Sequence, residues 1–237
     1  MKVCKFCFIS FILFFLFGKI YAEERINLKS DAVVVIDNET GRILYSKNKE
    51  MKHSIASLTK VMTAIMLTEN SNMSDLIEIP KEVTRIGGST AGVKAGEKMS
   101  AKDLLYAMLL PSGNDAAYSI GHFIGNGDIK NFAYLMTKRA HEIGAVNTSF
   151  ANPHGLDNEL HFSTALDVAK ITRYALKNND INEVVGTKTK TVNMGSFSKT
   201  FNNTNALLSS YEGCDGVKTG FTNDANRCLI ASSTKMK

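Results

Sequence analysis

The chain lacks most of the features that would mark a specialised class of protein. It has no tryptophan, and six of its 13 phenylalanines crowd into residues 1–22, so the remainder is not rich in aromatics. Charge is nearly balanced, with 28 Lys and Arg against 23 Asp and Glu. Three of those bases, Lys2, Lys5 and Lys19, lie in the acid-free first 22 residues, which leaves an excess of two downstream. That is too mild to argue for nucleic acid as a partner. Only four cysteines occur, and Cys4 and Cys7 belong to the same opening stretch. The other two, Cys214 and Cys228, sit in neither a CxxC nor a Cys/His spacing, so no metal site is legible and two buried thiols are expected. Repeats, low-complexity tracts and linkers are absent from the rest of the chain. At 237 residues, 44% apolar and 22% charged, the composition excludes disordered, collagenous and coiled-coil classes. The length suits one domain with a sizeable core.

The longest apolar run, Phe6 to Phe17 broken only by Ser10, falls short of the ~20 residues a bilayer-spanning helix needs. Lys2 and Lys5 precede it, and Ile20-Tyr21-Ala22 offers a small residue where cleavage would occur. Those three parts make a secretory signal. Residues 1–22 are therefore expected to direct export to the cell envelope, periplasmic or extracellular, leaving 23–237 as the working domain.

Downstream, Ala32–Asp37 and Arg42–Ser46 around Asn38–Gly41 read as a strand–turn–strand hairpin. Ser57 opens an amphipathic helical pattern with Leu58, Val61, Met62, Ile65 and Met66 at three- and four-residue spacing. Gly87-Gly88 to Gly96 is a glycine-punctuated loop. It fails as a phosphate loop because Val93 separates Gly92 from Lys94. Ser100 and Asp103 resemble a capping box for a helix through Leu110, which Pro111 stops. Further helices are expected over Asp115–Ile124, Asn131–Ile143 and Ser163–Leu176, and a last hairpin over Gly216–Phe221 and Arg227–Ser233. Strands at both ends enclosing helices imply an α+β fold whose terminal strands share one antiparallel sheet.

No Gly-x-Ser-x-Gly elbow accompanies the five histidines, His53, His122, His141, His154 and His161, so they read as loop or surface residues. A Ser/Lys pair is the alternative source of a nucleophile and its base. In Ser57-Leu58-Thr59-Lys60 the spacing of three puts Lys60 one helical turn from Ser57 on the same face. Ser46–Lys49, Ser196–Lys199 and Ser232–Lys235 share the pattern, but only Ser57 begins a helix, where free N–H groups stabilise negative charge. Ser112-Gly113-Asn114 follows Pro111 and reads as a turn between two helices, able to point a hydroxyl and an amide into a shared cleft. Lys218-Thr219-Gly220 lies on a strand, with Lys218 and Gly220 on one face and the glycine permitting close approach. Taken alone, it could equally be a solvated lysine on an edge strand.

Ser-x-x-Lys, then Ser-x-Asn, then Lys-Thr-Gly is the ordered triplet of penicillin-binding proteins and class A β-lactamases. The segments Ile55–Ala64, Leu109–Ala117, Asn152-Pro-His-Gly-Leu156 and Asp215–Thr222 narrow this. They resemble low-molecular-mass D-alanyl-D-alanine carboxypeptidases from about Ala32 onward. The resemblance implies an antiparallel sheet flanked by helices, with a helical subdomain, as in the β-lactamase and DD-peptidase folds. It implies Ser57 as acylated nucleophile, Lys60 as base and Ser112 as proton relay to the leaving amine. Asn114 would hold Lys60 and the substrate amide, and Lys218 and Thr219 the terminal carboxylate. The N–H groups of Ser57 and Phe221 would form the oxyanion hole beside Gly220. Lys60 must be neutral to act, which means lowering its pKa by about 3 units, or about 4 kcal/mol, through burial and the like charge of Lys218. The implied partners are a peptidoglycan stem peptide ending in D-Ala-D-Ala and β-lactam inhibitors, with no metal or organic cofactor.

A class A β-lactamase would carry a deacylating Glu-x-x-Leu-Asn segment, and this chain has none. Leu166 stands where the family often has Arg, and Asn226-Arg227 replaces a usual small-aromatic pair. Relatives usually continue past the equivalent of Lys237 with another strand and a covering helix. Many then add a β-rich domain and an amphipathic membrane-anchoring helix. The domain 23–237 is thus expected to be incomplete at its C-terminus, with no anchor visible and an open sheet edge. The competing expectation is a degenerate relative that binds muropeptide or penicillin without catalysis.

Overall fold

The computed structural model describes residues 28–234; the expected signal, residues 1–22, lies outside them. The chain divides into a unit that ends at Asp31 and a second, Ala32–Lys237, that holds every helix and strand described below. The second unit begins with the hairpin β1 (Val33–Ile36) and β2 (Ile43–Lys47), paired antiparallel. A 3-10 turn over Ala56–Thr59 runs into helix α1 (Lys60–Asn70). The short ribbon β3 (Leu76–Glu78) and β4 (Lys98–Ser100) brackets a second 3-10 turn and the glycine-punctuated loop. Helices α2 (Ala101–Leu109), α3 (Asn114–Ile124), α4 (Ile129–Glu142), α5 (Ala165–Ala175) and α6 (Asn179–Gly186) come next. The ribbon β5 (Thr189–Asn193) and β6 (Ser198–Asn202), a short α7 (Leu207–Ser210), and the hairpin β7 (Cys214–Thr222) and β8 (Asn226–Ser233) complete the order.

Helix starts reflect the local chemistry of the chain. Ser100 Oγ accepts the Asp103 N–H at 3.0 Å and donates to the Asp103 carboxylate at 2.7 Å, the expected capping box at the head of α2. Thr164, Asp128 and Asn178 cap α5, α4 and α6 in the same manner. Helix α1 is buried more completely than its amphipathic spacing suggested. Every residue from Lys60 to Leu67 is buried, because α2, α3, α4, α5 and α6 all pack around it. This central helix fixes the position of its own N-terminus, where Lys60 lies.

The α+β class is borne out, but not the single shared sheet. Among the described residues the strands form four separate two-stranded antiparallel ribbons, and no ladder joins the first hairpin to the last. The ladder hydrogen bonds of each hairpin run between its own two strands, and Val35, Leu44 and Leu229 stay exposed on these ribbons. The ribbon β5–β6 was not among the elements expected from the sequence. Cys214 and Cys228 are unpaired and half-buried, not buried as expected. In the hairpin register Cys214 faces Ser233 and Cys228 faces Gly220, so the two thiols lie near opposite ends of the ribbon.

Candidate active site

Three segments distant in sequence meet at the head of α1. Ser57 lies not at the α-helix N-terminus itself but in the preceding 3-10 turn, which is entered through Ala56 at φ 47°. Lys60, the first α1 residue, is fully buried. Its Nζ lies 2.8 Å from Ser57 Oγ, 2.7 Å from Asn114 Oδ1 and 2.8 Å from the His154 carbonyl. No other Ser-x-x-Lys in the described residues forms such a pair: Lys199, for one, donates to the Ala91 carbonyl.

The two partners besides Ser57 are held rigidly. Asn114 starts α3, and its Nδ2 donates to the Gly87 carbonyl at 2.7 Å, which fixes the amide with Oδ1 toward Lys60. The next residue, Asp115, is buried, and its carboxylate accepts from the N–H groups of Ala91, Gly92, Val93 and Ala116 and from the Thr90 hydroxyl. One carboxylate thereby folds the glycine-punctuated loop over the start of α3. The His154 carbonyl is presented by an Asx turn in which Asn152 Oδ1 accepts from Gly155 N–H at 2.7 Å. Thr63 clasps the same loop through the Pro153 carbonyl at 2.6 Å. Gly155 adopts φ 90°, and a Cβ there would fall 1.9 Å from the Ala56 carbonyl oxygen, so only glycine lets this loop touch the Ser57 turn.

Burial is the first cause that holds the Lys60 pKa well below 10.5, and the like charge of Lys218 is the second; Asp115 opposes both. Lys218 is no solvated edge lysine. It is 1% exposed, donates to the Thr219 carbonyl at 2.9 Å, and is brought by burial to about 7. Thr219 Oγ1 lies 2.7 Å from Thr204 Oγ1. Gly220 keeps β7 against the Ser57 turn: a Cβ at that position would sit 3.0 Å from Ser57 N and cover its N–H. Phe221 is exposed beyond it. Ser112 is buried at φ 66°, and its Oγ has no hydrogen-bond partner among the described residues. A left-handed serine with an idle buried hydroxyl is strained backbone of the kind that gathers at functional sites.

Sequence reasoning missed the polar frame behind these groups. His154 and His161 lie in loops as expected, yet both are buried, and burial lowers them to about 3 and about 4 respectively. His161 Nδ1 accepts the Ala151 N–H, which places its proton on Nε2 for Thr59 Oγ1 at 2.7 Å. His122 and His141 belong to the expected helices α3 and α4, His141 exposed at the surface and His122 partly so. Asp115 and the Asn152–Leu156 turn stood inside the segments that carry the family resemblance, and their turn-forming residues were the available signal.

The family model described as D-alanyl-D-alanine carboxypeptidase matches residues 19–237. The carboxypeptidase DacF of Bacillus subtilis is 37% identical over 213 residues, which cover 87% of this chain and 54% of that protein. A D-alanyl-D-alanine carboxypeptidase of Streptomyces sp. strain K15 is 36% identical, over 84% of this chain and 75% of its own. The chain thus spans little more than half the length of the first of these relatives. The crystal structure of the Streptomyces K15 DD-transpeptidase superposes with a TM-score of 0.82 at 35% identity, over 88% of this chain and 87% of the other. The motif order, the meeting of the motifs at one buried helix end, and a match along most of its length agree: the chain belongs to the D-alanyl-D-alanine carboxypeptidase family.

Proposed function

We propose that this protein is a serine-type D-Ala-D-Ala carboxypeptidase that cleaves the terminal D-alanine from peptidoglycan stem peptides and is acylated by β-lactams. The geometry of Lys60 carries the reading. Asn114 Oδ1 and the His154 carbonyl can only accept hydrogen bonds, so a neutral amine spends both N–H groups on them. The remaining tetrahedral position, its lone pair, then points at the Ser57 hydroxyl at 2.8 Å. A base aimed in this way withdraws the proton as Ser57 attacks the penultimate carbonyl, and the oxyanion forms near the Ser57 N–H that Gly220 leaves uncovered. The Phe221 N–H is the second donor by analogy with the family. Ser112, with an idle hydroxyl, passes a proton to the departing D-alanine amine. Lys218, still partly charged near neutrality, binds the terminal carboxylate with Thr219. Asn114 holds the substrate amide as well as Lys60. Water then resolves the acyl-enzyme. Export to the cell envelope belongs to the same reading.

A degenerate binding protein is disfavoured because the Ser57–Lys60–Asn114 contacts and the neutralising burial are intact. The test is labelled penicillin on purified protein, with peptide mapping. Label at Ser57, lost in Ser57→Ala, is expected; folded protein that takes up no label refutes the proposal.

A further inference from the structure

A trans peptide group is rigid and aims its C=O and N–H in opposite directions. The peptide joining Ala56 to Ser57 is trans, so whatever holds the Ala56 carbonyl also aims the Ser57 N–H. That N–H is the one that Gly220 leaves uncovered. The Ala56 carbonyl ends a directed chain of hydrogen bonds. Thr59 Oγ1 donates to it at 2.8 Å and lies 2.7 Å from His161 Nε2. His161 Nδ1 accepts the Ala151 N–H at 3.2 Å, so Nε2 carries the ring proton and Thr59 receives it. Every proton points one way, from the Ala151 amide to the Ala56 carbonyl, and buried bonds in such a series strengthen one another.

This chain is fixed within the core. Thr59 and His161 are both buried, and the Phe150 ring meets the imidazole edge-on, 5.5 Å between centroids. Burial brings His161 to about 4, so near neutrality the ring is uncharged and keeps an acceptor nitrogen for Ala151. Ala56, at φ 47°, is left-handed backbone of the kind that persists only where its surroundings over-determine it. The chain is also separate from the base: Lys60 Nζ bonds Ser57, Asn114 and the His154 carbonyl.

Resting on the proposed function, we infer that Thr59 and His161 are positioning residues for the oxyanion, aiming the Ser57 N–H through the Ala56 carbonyl and sharpening it as a donor. A hydrogen bond accepted by an amide oxygen draws electron density along the conjugated C–N bond and leaves the N–H more positive. Charge on the substrate oxygen grows only as Ser57 attacks, so the contribution falls on acylation and not on binding of the intact ligand.

The test is Thr59→Val, which keeps the branched shape and removes the hydroxyl, beside Thr59→Ser, which restores it. On protein shown to be folded by its thermal melt, three quantities are read: reversible binding of a β-lactam, its acylation rate against pH, and the infrared carbonyl stretch of the acyl-enzyme. The ester oxygen of that adduct occupies the oxyanion position, so a weaker donor raises its stretching frequency. Thr59→Val should be acylated about tenfold more slowly, a smaller loss than deleting an oxyanion donor outright. Its reversible binding and the pH of the inflection should match wild type, and its stretch should move to higher wavenumber. Thr59→Ser should restore rate and stretch. His161→Asn keeps an acceptor for Ala151 but falls short of Thr59, so it should resemble Thr59→Val and decides the matter if the valine variant does not fold. His161→Gln, whose amide reaches Thr59, should recover most of the rate. Folded Thr59→Val or His161→Asn with the wild-type rate and stretch overturns the inference alone, provided wild type is labelled. A slowed rate with an unmoved stretch, or with a displaced inflection, also overturns it, because general loosening or a disturbed Lys60 would give that result. Wild-type protein that takes up no β-lactam refutes the Ser57 reading and this inference with it.

Discussion

Replacing Lys218 with methionine should stabilise the protein near neutral pH, and the size of the gain can be worked from its burial. Lys218 is 1% exposed, and its only hydrogen bond among the described residues goes to the Thr219 carbonyl. Burial lowers its pKa from 10.5 to about 7. In the unfolded chain the amine keeps its proton to about pH 10.4, whereas in the folded chain it releases it near 7. Between those values the unfolded state binds more protons, so stability rises with pH across that window. Below about pH 7 both states are charged and the whole cost of burying the ammonium is in force. At about 1.4 kcal/mol per pH unit, the interval from about 7 to 10.5 corresponds to about 5 kcal/mol. Methionine is of similar length and carries no charge. Losing one charge-assisted hydrogen bond offsets about 1.5–3 kcal/mol, so Lys218→Met should be about 2–3 kcal/mol more stable near pH 6. Losing the like charge beside Lys60 acts in the same direction. Urea unfolding of both proteins near pH 6, 8 and 9.5 measures the gap, and groups common to both cancel in the difference. The gap should close as pH rises. A variant equal to or weaker than wild type near pH 6, or a gap indifferent to pH, would refute the argument that Lys218 is a charge held at the expense of stability for its binding role.

Three further outcomes are expected. The rate of penicillin acylation should rise with pH as Lys60 loses its proton, with an inflection well below 10.5; a rate that stays flat until strongly alkaline pH rules Lys60 out as the base. Asp115→Asn sets an NH₂ group against some of the N–H donors of Ala91, Gly92, Val93 and Ala116, and should cost about 3 kcal/mol by urea midpoint. A loss below about 0.5 kcal/mol would mean the loop is held by something else. Gly155→Ala meets both a φ of 90° and the Ala56 carbonyl, so it should lower stability by about 2 kcal/mol or more and slow acylation by moving the His154 carbonyl from Lys60. Unchanged acylation in that variant would show that the carbonyl does not position the amine.

The local elements were largely readable because their signals are local. The capping box at Ser100 and Asp103, the proline stop after α2, and the hairpins around Asn38–Gly41 and Thr222–Asn226 each depend on residues within a few positions of one another. The ribbons β3–β4 and β5–β6 escaped notice because their strands are three to five residues long and mostly polar, with only Ile77, Met99, Val192 and Phe201 buried. The expected single sheet required pairing between chain ends, which no local pattern specifies.

The order of Ser-x-x-Lys, Ser-Gly-Asn and Lys-Thr-Gly was enough to nominate Ser57, Lys60, Ser112, Asn114 and Lys218. What the sequence could not supply was the environment that gives those side chains their chemistry. A lysine's spacing from a serine is local, but its charge state depends on desolvation by five helices packed around α1 and on a second lysine 158 positions away. The direction of its hydrogen bonds depends on an amide locked by Gly87 and a carbonyl delivered by the Asn152 turn. Those partners lie tens of residues apart and meet only in the folded chain, so tertiary structure decided which Ser/Lys pair is buried against an amide and a carbonyl.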